Sequence, residues 1–97
     1  MADASGRPVR AEIVEIMGAG TCPSGLEVGR AWLIADGLCP EGMCGWAFNS
    51  MLPFLATLRF GGRFPWRPEP EARICCPDAD NPVVFRLTVE PELPDVS

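Results

Sequence analysis

The residues Val83-Val84-Phe85-Arg86-Leu87-Thr88-Val89-Glu90 carry the clearest structural signal in the chain. Val83, Phe85, Leu87 and Val89 alternate with Val84, Arg86, Thr88 and Glu90, the period of two that sends successive side chains to opposite faces of a strand. A strand with one apolar face needs a hydrophobic layer to cover it. Residues 42–60 supply that layer, because Cys44, Phe48, Met51, Leu55 and Leu58 recur at helical spacing and line one stripe. Pro53 interrupts the run, while Asn49-Ser50 can cap a new helix that places Pro53 in its unpaired first turn. Two short helices therefore compete with one kinked helix, and Gly61-Gly62 supplies the stop.

Upstream, residues 9–17 read as a strand whose alternation slips: Val9, Ala11 and Ile13 share one face, then Val14 and Ile16 take the other, which predicts a twist or a bulge. Residues 28–36 read as a second strand, with Trp32 and Ile34 on one face and Leu33 between them, paired antiparallel with the first. Residues 63–73 read as a Pro-rich, acidic loop anchored by Phe64-Pro65-Trp66, and Pro91 and Pro94 end regular structure. The order strand, strand, helix, strand predicts an α+β domain: a three-stranded, mostly antiparallel sheet covered on one face by one kinked helix or two short helices. One domain spans residues 1–97, with 1–7 and 91–97 expected to be flexible tails. The exposed edges and uncovered face of so small a sheet make a homodimer or a protein partner a reasonable expectation.

Ninety-seven residues suffice to bury a core without covalent staples, and a composition 47% hydrophobic with three Trp and five Phe argues for a packed globule. The net charge of −5 makes a nucleic-acid backbone an unsuitable partner. No stretch approaches the roughly 18 continuous apolar residues of a membrane span. The start, Met-Ala-Asp-Ala-Ser-Gly, lacks the basic-then-apolar order of a secretion signal, so the expectation is a cytoplasmic protein with its five cysteines reduced or metal-bound. All eight cations are Arg, and there is no His. The missing imidazole removes the commonest general base and the commonest nitrogen ligand, leaving Cys, Asp, Glu or a cofactor for any chemistry.

Taken together, Cys22-Pro23 with Gly25-Leu26 and Val28-Gly29, Pro40-Glu41-Gly42-Met43-Cys44, Leu58-Arg59-Phe60-Gly61-Gly62, Phe64-Pro65-Trp66, and Cys75-Cys76-Pro77-Asp78 followed by Asn81-Pro82-Val83-Val84-Phe85 form a pattern covering about three quarters of the chain. This pattern resembles that of a family of small uncharacterised prokaryotic proteins. The resemblance implies that the shared thiols fall at Cys22, Cys44, Cys75 and Cys76, that Cys39 is private to this chain, and that a His often found near Asn49 is missing. It implies no particular reaction.

The four thiols Cys22, Cys44, Cys75 and Cys76 match the number that zinc or an iron–sulfur cluster takes, although no Cys-x-x-Cys pair is present. If Cys75 and Cys76 lie on a strand they point to opposite faces, so only one of them joins Cys22 and Cys44 unless the backbone bends there. A second reading is thiol redox or nucleophilic chemistry, since the free N–H groups and dipole of a helix start favour a thiolate at Cys44. A third is that the cysteines fill the core as small hydrophobes. Arg59, Arg63 and Arg67 can cradle an anion or, more commonly, pair with Glu69 and Glu71; Trp46, Phe64 and Trp66 can line a docking surface or anchor a loop.

Overall fold

The computed structural model describes residues 6–90, so most of both expected tails lies outside the described residues. Four strands and one helix follow in the order β1 (Val9–Ile16), β2 (Ala31–Ile34), α1 (Gly45–Arg59), β3 (Glu71–Cys75) and β4 (Val83–Val89). They form an α+β unit with a four-stranded sheet in the order β2-β1-β4-β3, every neighbouring pair antiparallel. The alternating stretch 83–89 is thus a central strand, bonded on both sides. Val83, Phe85 and Leu87 are all but fully buried on its inner face.

One strand was hidden in the expected loop. Glu71–Cys75 pairs with β4 from Glu71 opposite Thr88 to Cys75 opposite Val84. Its inward residues are Ala72 and Ile74, one of them too small to mark a hydrophobic period, and its outward Glu71 and Arg73 suit an edge strand that must not recruit another chain. The sheet therefore has four strands rather than three.

The slip in β1 is a register shift between Ile13 and Glu15 against β4, the bulge that the change of apolar face predicts. Beside it, the Ile13 amide donates to the Arg30 carbonyl and the Gly29 amide donates to the Ile13 carbonyl, each at 2.9 Å. Residues 27–30 make a turn there, closed by the Arg30 amide on the Glu27 carbonyl at 3.2 Å, so β2 begins at Ala31 rather than at residue 28.

The helix is a single one. It starts at Gly45, three residues later than expected, and runs through Pro53 to Arg59 without a second cap. A proline inside a helix costs on the order of 3 kcal/mol. Here Pro53 and Asn49, whose carbonyl loses its N–H partner, lie on the exposed side and leave that oxygen to solvent. On the opposite side Phe48, Met51, Leu55 and Leu58 are buried on both flanks of Pro53. At roughly 1.5–3 kcal/mol for each fully buried large apolar side chain, that stripe outweighs the one defect.

This stripe packs across β3 and β4, with a smaller contact on β1. Val9, Ala11, Ile13, Trp32, Ile34, Ala72, Val83, Phe85 and Leu87 meet it from the sheet. Buried Arg59 ties the helix end to the start of the chain and the end of β2: its guanidinium donates to the Ala35 carbonyl at 2.9 Å and its own carbonyl accepts the Arg7 amide at 2.8 Å. The opposite face of the sheet carries Arg10, Glu12, Arg73 and Arg86, with Arg86 on Glu71 at 3.2 Å. A face so charged tolerates water, with Leu33 opposite Arg10 as an exposed apolar side chain on it. Both edges are short; β3 carries Glu71 and Arg73, whereas β2, Ala31-Trp32-Leu33-Ile34, has no charged residue.

Candidate functional site

The five cysteines are all free thiols, and each sits at a turn or the end of an element. Cys75 is the last residue of β3 and is exposed on the uncovered sheet face; Cys76, one step on, is half-buried against the core. The pair is divided, as period-two geometry requires. The Cys76 amide donates to the Val83 carbonyl at 3.0 Å, the Val83 amide donates to Cys76 Sγ at 3.3 Å, and Cys76 Sγ reaches the Asn81 carbonyl at 3.9 Å. Asp78 Oδ1 accepts the amides of Asp80 and Asn81, at 3.0 and 3.3 Å, in the manner of an Asx turn. Across from this loop the Met17 amide donates to the Pro82 carbonyl at 2.8 Å. Gly18, at φ +68, lets the backbone pass so close to the Asp80 carbonyl that a Cβ there would overlap it. Residues 75–85 are thus a rigid turn feeding the central strand.

Cys22 lies in the loop after β1, half-buried, lining an open depression of about 310 Å³ with Ile16, Leu26, Glu27 and Val28. A larger concavity of about 530 Å³, lined by Asp36, Asn49, Leu52, Pro53, Arg59 and Phe60 among others, has no thiol in its wall.

Cys44 is the residue before the first helical one rather than part of the first turn, and its side chain makes no capping hydrogen bond. It is half-buried against the core. Its close neighbour is Cys39, the thiol that the family resemblance sets apart. Between them the Met43 amide donates to the Pro40 carbonyl at 3.2 Å, closing a four-residue turn, and Gly42 takes the positive φ of +83 that the third position of a type II turn requires. Cys39 Sγ lies 3.6 Å from the Met43 carbonyl oxygen and 3.8 Å from that of Pro40. The residue is exposed as a whole, but its sulfur lies against the Pro40 and Met43 carbonyls, and that partial desolvation and then the neighbouring Cys44 push the Cys39 thiol above its ordinary range. Trp32 pins the turn from the sheet, its indole N–H donating to the Glu41 carbonyl at 3.0 Å, and the Arg30 guanidinium, stacked 4.9 Å from the Trp32 ring centre, covers Gly42. The signal that locates this pair is the glycine two residues before Cys44 in a turn flanked by cysteines; spacing alone did not reveal it.

Among the described residues no group of three or more Cys, Asp or Glu is placed to hold a metal ion, so Cys22, Cys44, Cys75 and Cys76 do not make up such a group. The arginines are also accounted for locally. Arg63 donates to the Pro68 carbonyl at 2.7 Å, Arg67 pairs with Glu71 at 3.5 Å, and Arg59 serves the helix end. Of the aromatics, Phe64 anchors its loop, its ring centre 5.5 Å from Phe54 and 5.3 Å from Trp66, whereas Trp46 and Trp66 are 70% and 67% exposed. Among the described residues no helix is long and apolar enough to cross a membrane. Comparison of the chain with family models, with curated proteins and with solved structures gives no match, so the reading of the site stands on its own geometry.

Proposed function

We propose that this is a small thiol-chemistry protein, an accessory in redox metabolism whose cysteines act as exchangeable thiols rather than as the ligands of one metal centre. One observation carries the reading. Free cysteine is among the most buried residue types, yet none of the five is fully buried here: Cys39 and Cys75 are exposed, and Cys22, Cys44 and Cys76 are half-buried. Cysteines kept as core filler would be inside. Exchange between a thiolate and a disulfide also suits a chain without His, because the thiolate itself is the nucleophile and thiols ionise without a dedicated base. The test is titration of the reduced, folded chain with an aromatic disulfide reagent, followed by reductant. The expected result is reaction of Cys39 and Cys75 in the native state, reversed by reductant with the circular dichroism unchanged. Five thiols that all resist until denaturant is added would contradict it.

The exposed Trp46 and Trp66 favour a second reading, a non-catalytic interaction module that docks a protein partner or a second copy of itself. Light scattering on the wild type and on a Trp46→Ala, Trp66→Ala double variant separates the self-association branch. A wild type that is monomeric at every concentration argues against it.

A further inference from the structure

We propose that Cys39 and Cys44 are a dithiol–disulfide site: a low-molecular-weight disulfide of the glutathione class oxidises them to an intramolecular bridge across the turn at residues 40–43. This rests on the thiol reading above and assigns it to one pair. The two thiols flank a turn closed by the Met43 amide on the Pro40 carbonyl at 3.2 Å, which folds the chain back on itself between them. Cys39 Sγ already lies 3.6 Å from the oxygen of the peptide that joins Met43 to Cys44. A disulfide needs Cα atoms roughly 4.4–6.8 Å apart; the turn brings Pro40 and Met43 together, and Cys39 and Cys44 are the residues immediately outside those two ends. The frame is held from outside by the Trp32 indole on Glu41 and by Arg30 over Gly42, so closing the bridge reorients side chains and leaves the turn in place.

The exchange balances. One thiolate of the pair attacks a sulfur of the reagent, forming a mixed disulfide and expelling one reagent thiolate. The other thiolate then attacks the protein sulfur of that mixed disulfide and expels the second. The chain gives up two electrons and two protons, and the reagent becomes two thiols.

The test uses the full chain. It is reduced, equilibrated with glutathione disulfide, trapped by alkylation and cleaved after Glu41, which lies between the two cysteines. The expected product is a pair of peptides that stay joined until reductant is added. Cys39→Ser and Cys44→Ser each abolish the joined product and leave a glutathione adduct on the remaining thiol, whereas Cys75→Ser, at an exposed position, leaves it intact. Reversible oxidation at Cys22, Cys75 or Cys76 with Cys39 and Cys44 still separately alkylated overturns the pair and spares the broader thiol reading. No oxidation at any thiol overturns both. The wild-type digest needs no variant, so a poorly folded substitution does not blunt the result.

Discussion

Cys75 and Cys76 are neighbours in the chain and the fold separates them; Cys39 and Cys44 are five positions apart and the fold gathers them. The difference is one of backbone geometry. A strand sends consecutive side chains to opposite faces, so Cys75 goes to solvent and Cys76 to the core edge. A tight turn brings its two ends together, so Cys39 lies over the peptide that leads into Cys44. Thiols that look paired in sequence are therefore the unpaired ones. Their environments differ too: Cys76 is fixed by backbone groups of its own loop, while Cys39 and Cys44 bracket a turn whose supports come from β2.

The most disruptive way to break the contrast is to remove the wall behind both regions. Phe85 is fully buried between them, its ring 6.2 Å from Trp32, and it pairs with Ile74 one residue before Cys75. Phe85→Ala is expected to cost about 3–5 kcal/mol, measured by urea unfolding, and to level the reactivities of all five thiols. Gly42→Ala acts on one region alone. Its positive φ would strain any other residue by about 1–2 kcal/mol, so this variant should loosen the Cys39–Cys44 turn and leave the labelling of Cys75 and Cys76 unchanged. Smaller still, Cys76→Ala removes the acceptor of the Val83 amide and should cost about 1 kcal/mol, whereas Cys75→Ala should change stability by less than about 0.5 kcal/mol.

The smallest effect concerns pH. Because burial and then Cys44 raise the Cys39 thiol, its alkylation should lag that of an unstructured peptide through the ordinary thiol range. Folding favours the protonated form, so the linked stability is present below the unfolded value and is lost as pH rises through the folded one. Cys44→Ser should shorten the lag, and stopped-flow alkylation against pH measures it.

How far these features could be read from the sequence follows the same physics. The alternation of 83–89, the slip from Ile13 to Val14 and the stripe through Leu58 were legible because each repeats a period over several residues. β3 was not, since only Ala72 and Ile74 turn inward. Pro53 allowed two outcomes locally, and the burial of Met51 and Leu55 on either side, a tertiary effect, decided between them. The division of Cys75 from Cys76 was legible from strand geometry. The approach of Cys39 to the peptide before Cys44 was not, because it follows from the turn at residues 40–43, which repeats no period, and from Trp32 on β2 holding Glu41.

Site-resolved alkylation of the reduced, native chain tests most directly the claim that geometry, and not adjacency, sorts these thiols. With one reagent and one quench series, Cys75 should label at the rate of an exposed thiol and Cys76 at least about tenfold more slowly, the ratio that a local opening of roughly 1.4 kcal/mol imposes. Equal rates at the two adjacent sulfurs would contradict the account.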